Sequence, residues 1–127
     1  MKKINILLIT LLVGFTFSCK AQQAQVDIQT EIIATWIAED DLNVKLVFNN
    51  NNQCLSYYNN TLIDTYSYEI SHECGSESDF NSWFLKLTDS EDLSIRCYDL
   101  YGANLDNNNT LSMKDMTTGK IFVYNKQ

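Results

Sequence analysis

The sequence offers a single side chain suited to acid–base work at neutral pH. His72 is the only histidine. It is followed by Glu73 and flanked by Ser71, Ser76 and Ser78, so the residue types of a hydrolytic triad fall in one short stretch. Serine, histidine and acid are common in polar loops, and a triad is defined by geometry rather than by proximity in sequence. The expectation is therefore a solvated or hydrogen-bonded loop histidine, with no catalytic residue assigned. The 16 acidic residues supply many carboxylate pairs and no distinguished one, so glycoside chemistry has no candidate either. The chain is expected not to be an enzyme and to need no cofactor.

Two residue sets carry the identities of metal ligands. Cys54, His72, Cys74 and Cys97 have the identities of a structural zinc site, but no C-x-x-C pair supports that reading. Asp106, Asn108 and Thr110 place oxygen side chains at alternate positions, as the start of a calcium loop does. The glycine and the terminal glutamate of such a loop are replaced by Leu111 and Thr117. An Asn-rich hairpin turn is the simpler reading, and no metal site is assigned. Asn59-Asn60-Thr61 and Asn108-Asn109-Thr110 match the glycosylation sequon without further support.

The elements that must position these residues begin with a targeting segment. Lys2 and Lys3 precede an apolar run from Ile4 to Phe17, too short for a spanning helix of about 20 residues and laid out as a secretory signal over 1–18. The end of that run, Thr16-Phe17-Ser18-Cys19, resembles the lipobox of bacterial lipoproteins. The resemblance implies that Cys19 is lipidated and opens the mature chain, which would hold the protein at a membrane. Residues 19–31 then read as lipidated cysteine and tether, because Lys20-Ala21-Gln22-Gln23-Ala24-Gln25 has little to bury. Lipoproteins displayed on the cell surface can carry an acidic stretch after the cysteine; none is present here, which points to the periplasmic face of the outer membrane. Without its signal the chain has 16 acidic against 7 basic residues, a charge of −9 compared with −7 for the whole. That balance argues against nucleic acid or an anionic lipid surface as the main partner, since both select for Lys and Arg.

From residue 32 to 127 the apolar residues alternate. Val44, Leu46 and Phe48 share one face, as do Tyr66, Tyr68 and Ile70, then Trp83, Leu85 and Leu87, then Leu111 and Met113. This is the pattern of half-buried antiparallel strands. Runs of Asn, Asp and Gly between them tolerate the backbone that hairpins require. The spacing predicts eight strands, near 33–38, 43–49, 53–58, 62–71, 82–88, 93–101, 110–115 and 120–125. Their short connections predict an all-β, up-and-down barrel, since closure removes exposed edges. A short helix over Asp27–Ile33 could plug one end. The middle-strand aromatics, including Tyr57, Tyr58, Tyr98 and Tyr101, must either fill the interior or line a cavity, and in so short a chain filling is favoured.

Ile33-Ala34-Thr35-Trp36 at the first strand, followed by Glu39-Asp40-Asp41 and the meander, resembles the small lipocalin-like lipoproteins of Gram-negative envelopes. Ala34 stands where that family has the glycine of Gly-x-Trp, and Trp36 matches its tryptophan. The resemblance implies a lipocalin-like barrel with Trp36 packed at its closed base.

Register narrows the cysteines. With Cys19 lipidated, three thiols allow one bridge and one odd cysteine. A turn near Asn60 sets Cys54 opposite about Ser67, and a turn near Ser90 sets Cys97 opposite about Phe84. Cys74, in a loop over 71–82, can fold back towards Cys97, and that pair is the favoured disulfide. Cys54 is then a buried small apolar residue. Two functions remain in view for what should be a monomer: binding of a small apolar ligand inside the barrel, or a protein-binding inhibitor or immunity-type role in which an acidic surface meets a basic partner.

Overall fold

The alternating runs fold as their periodicity dictates. The computed structural model describes residues 22–127; the signal segment and Cys19 lie outside the described residues. A short helix, α1 (Gln25–Glu31), precedes β1 (Thr35–Ala38), β2 (Val44–Phe48), β3 (Gln53–Tyr58) and β4 (Thr61–Ser71). A two-strand excursion follows, β5 (Glu73–Cys74) with β6 (Glu77–Ser78), and then β7 (Trp83–Asp89), β8 (Ile95–Ala103), β9 (Thr110–Asp115) and β10 (Ile121–Lys126). All of these strands except β5 and β6 form one closed antiparallel barrel in the order β1-β10-β9-β8-β7-β4-β3-β2. The closing seam sets Trp36 opposite Lys126 and Ala38 opposite Tyr124. The eight-stranded up-and-down barrel of the sequence reading is thus the fold, with every barrel strand beside its neighbour in the meander.

Turn chemistry fixes that order. Asn59 and Asn60 both adopt positive φ, +49° and +61°, as a two-residue turn matching strand twist requires. Asp41, Asp89, Asp92 and Asp115 each accept a backbone amide two residues ahead, so their carboxylates close the turns locally. Two bulges adjust the wall. One at the head of β4 leaves Ile63 without a partner on β3, and one in β8 falls between Leu100 and Gly102. The expected strand over 93–101 is displaced to 95–103, because Leu93 is held in the turn at φ +61° and the second bulge carries β8 onward to Ala103.

Two segments differ from expectation. Part of the presumed tether is built into the barrel: α1 turns Ile28 inward, Ile32 follows it, and both are buried with Trp36 in the core. Apolar residues four apart place one face of a short helix on the barrel end. The 71–82 stretch is not a plain loop either. Its β5–β6 hairpin packs against β7, on the outside of the barrel. Phe84, outward-facing by register, is buried there rather than exposed.

The connections sort into two ends. At one, here the base, lie α1, the 49–52 turn, the 72–82 segment and the 104–109 turn. At the other, the rim, lie the turns at 39–43, 59–60, 89–94 and 116–120.

Candidate functional site

Each candidate side chain has a definite place. His72 stacks on Trp83 with ring centroids 3.8 Å apart and on Phe80 at 5.5 Å. Its Nδ1–H donates to the Ser82 carbonyl at 2.7 Å. The nearby hydroxyls are engaged elsewhere: Ser71 donates to the Glu73 carbonyl and Ser82 to the Asp79 carboxylate. The Asn81 amide and the Ser82 hydroxyl hold the exposed Asp79 carboxyl below its ordinary range. The histidine is thus the middle of an aromatic stack, with a ring nitrogen already committed to backbone.

Cys74 and Cys97 form a disulfide, Cα–Cα 5.8 Å, that staples the β5–β6 hairpin to the outer face of β8. Cys97 lies opposite Lys86 rather than Phe84. Cys54 lies opposite Tyr66, one position from the expected Ser67. The Cys54 thiol is free and buried in the barrel interior, where desolvation pushes it from about 9 up to about 12. A zinc set drawn from these residues is excluded, since two of its members are oxidised to one another. Among the described residues no group of three or more His, Cys, Asp or Glu is placed to hold a metal. The Asp106–Thr110 stretch is a turn: Asn108 Oδ1 accepts from the Thr110 amide and Asn104 Oδ1 from the Asn109 amide.

The inward row fills the barrel. Trp36 is wholly buried and donates Nε1–H to the Ile32 carbonyl at 2.8 Å. Phe48 and Tyr68 pack in the same core, edge to face at 5.1 Å, with Leu85, Leu111 and Met113, each at most 2% exposed. Tyr66, Tyr98 and Tyr124 complete the row toward the rim, all buried. Burial pushes the Tyr66 hydroxyl up to about 12, with the Arg96 guanidinium pulling the other way. Arg96, the only arginine, follows on the same side of β8 but is exposed at the rim, where the Tyr98 hydroxyl, with the nearby Tyr66 and Asp64, favours its charged form. Among the described residues every buried side-chain polar atom has a partner.

Ligand-sized concavities lie outside this packed interior. A groove of about 370 Å³ at the rim is lined by Leu62, Ile63, Asp64, Thr65, Asp89, Ser90 and Glu91. The Ser90 amide donates to the Thr65 carbonyl at 3.0 Å and ties its two walls. The bulge turns Leu62 and Ile63 outward, 50% and 55% exposed, and Leu93 and Ile95 are exposed on the adjoining turn and strand. The groove therefore joins an apolar lip to three carboxylates with no cation in its lining. A break in the alternation, two successive aliphatics at Leu62-Ile63, was the sequence signal for it.

The base carries a different constellation. Gln23 is buried and hydrogen-bonds in both directions with the backbone of Ala103, Nε2–H to the carbonyl at 2.8 Å and Oε1 from the amide at 3.1 Å. The Gln23 carbonyl accepts Trp83 Nε1–H at 2.8 Å. Nothing in a Gln- and Ala-rich stretch distinguished this residue.

Fold and site together define a closed, side-chain-filled antiparallel barrel with a plugged base and an acidic, partly apolar rim. No protein-family model, curated protein or solved structure matches the chain.

Proposed function

We propose that this is a non-enzymatic, lipid-anchored envelope domain, held by Cys19 at the periplasmic face of an outer membrane, that binds a basic protein partner at its rim. The observation that carries this reading is the filled interior. A small apolar ligand in the lumen would have to displace Phe48, Tyr68 or Met113 from close-packed positions, and such cores do not open at small cost. Binding then falls to the outer surface, where Leu62 and Ile63 supply an apolar anchor and Asp64, Asp89 and Glu91 supply charge. Eight of the 16 acidic residues (Glu39, Asp40, Asp41, Asp64, Asp89, Glu91, Asp92 and Asp115) sit at this end against four basic ones (Lys45, Arg96, Lys114 and Lys120), which leaves it net acidic. A field of that sign speeds encounter with a cationic protein. An exposed aliphatic pair framed by charge is the composition of a small interface core with a polar margin.

The test is native mass spectrometry of the anchored protein purified from its own envelope, beside a variant carrying Asp64→Asn, Asp89→Asn and Glu91→Gln. The expected result is a basic protein partner that is lost in the variant and released by moderate salt. A small apolar molecule retained by both proteins, or a partner indifferent to the substitutions, would overturn the proposal.

A further inference from the structure

We infer that the plugged base of the barrel is seated on the bilayer, with Phe80 as its interfacial side chain, so that the acidic rim faces away from the membrane. The inference rests on the lipid-anchor reading of Cys19 and adds an orientation to it.

The argument starts at Gln23. Its side chain is bonded to Ala103 and its carbonyl to Trp83, so the position of residue 23 on the base is fixed. It lies four positions after Cys19, and four extended residue steps reach about 14 Å. An anchor at Cys19 therefore leaves no slack for the domain to roll its rim onto the membrane. The chain enters beside an exposed apolar side chain. From the Gln23 carbonyl to the Trp83 indole is 2.8 Å, from Trp83 to the His72 ring 3.8 Å, and from His72 to the Phe80 ring 5.5 Å. Phe80 is 84% exposed, held in place by a stack yet contributing little burial to the fold. Val26, on the first turn of α1, is 75% exposed at the same end. An aromatic ring and an aliphatic side chain at the point where the chain meets its anchor suit the headgroup–acyl boundary.

Charge sets the limits of this contact. Asp27, Glu31, Glu73, Glu77, Asp79 and Asp106 also lie at the base, so anionic lipid repels the detached domain rather than attracting it. The contact forms because a short tether makes it intramolecular.

The experiment uses the full acylated chain in vesicles of phosphatidylethanolamine and phosphatidylglycerol containing lipids brominated near the headgroup. Two variants, Phe80→Trp and Ile63→Trp, are compared with the parent, whose Trp36 and Trp83 set the baseline. Bromolipid is expected to quench at least twice as much of the added fluorescence in Phe80→Trp as in Ile63→Trp. Inserting a ten-residue Gly-Ser spacer after Lys20 is expected to abolish that difference. Equal quenching at the two positions, or stronger quenching in Ile63→Trp, would overturn the orientation while leaving the anchor intact. Absence of acyl mass on Cys19, together with membrane partition unchanged by Cys19→Ser, would instead reject the anchor and this inference with it.

Discussion

The two ends of the barrel are closed by different physics. The base is sealed by buried contacts: Ile28, Ile32 and Trp36 in the core, an indole hydrogen bond, and Gln23 bonded to Ala103. Its turns are tied to the plug as well, since the buried Asn104 amide donates to the Glu31 carboxylate. The rim is closed by short turns left open to solvent, three of them pinned by their own Asp carboxylates. Burial supplies far more free energy per residue than an exposed turn hydrogen bond. Substitutions should therefore unfold the protein from the base and alter recognition from the rim, which separates the stabilising residues from those free to bind.

Several measurements can break or sharpen that division. The largest effect is expected at Trp36→Ala, which opens a cavity in the core beside the plug and orphans the Ile32 carbonyl, at a cost of about 3–5 kcal/mol in urea unfolding. Ile63→Ala, at the rim, should stay within about 0.5 kcal/mol of the parent; similar losses at the two sites would end the contrast. Removing the disulfide by paired Cys74→Ala and Cys97→Ala should cost about 3 kcal/mol, from the loop entropy of a 23-residue separation. The barrel should remain folded, with Phe84 newly accessible to solvent perturbation of its absorbance.

Gln23→Ala leaves the Ala103 amide and carbonyl without their partner, and a loss of about 1–3 kcal/mol is expected. Amide exchange at Ala103 should accelerate with it, while exchange in the rim turns stays unchanged. Alkaline titration probes the interior. Cys54 is raised from about 9 to about 12, and burial raises Tyr66, Tyr98 and Tyr124 in the same direction. A group with a raised folded value holds its proton longer when folded, so its contribution is complete below about pH 9 and is lost as pH climbs towards 12. Urea midpoints should therefore fall steadily over that window, and Cys54 should resist alkylation at pH 8 until the protein is denatured. A small gain is expected at Leu93→Gly. It relieves a non-glycine residue at φ +61° and should leave stability within about 1 kcal/mol of the parent, on the favourable side.

What the sequence made legible followed from strong local signals. Alternation in Val44–Phe48, Tyr66–Ile70 and Trp83–Leu87 located the strands, and Asn59-Asn60 marked a hairpin, so pairing order and closure could be read directly. The Cys74–Cys97 bridge was legible because strand register left Cys54 out of reach. The β5–β6 hairpin was not, since two-residue strands cannot display a period. The bulge at Ile63 moved register by one residue, as turn counting alone does not reveal an unpaired residue. The Gln23 clamp was invisible because its partners lie 60 and 80 residues away, and a polar side chain that bonds distant backbone carries no local pattern. Of the rim groove, only the broken alternation at Leu62-Ile63 was available.

The barrel wall also sorts the thiols. Cys54 faces the lumen while Cys97 faces outward beneath the hairpin, so once the sheet has closed, the odd sulfur is walled off from the other two. Among Cys54, Cys74 and Cys97, oxidation that precedes closure has three pairings open to it; oxidation that follows has one. For a chain that meets an oxidising compartment while still unfolded, the order of sheet closure and bond formation then decides whether the protein is made correctly. A Cys54→Ala chain should be freed from that race, giving a higher yield of native protein when oxidant is supplied early.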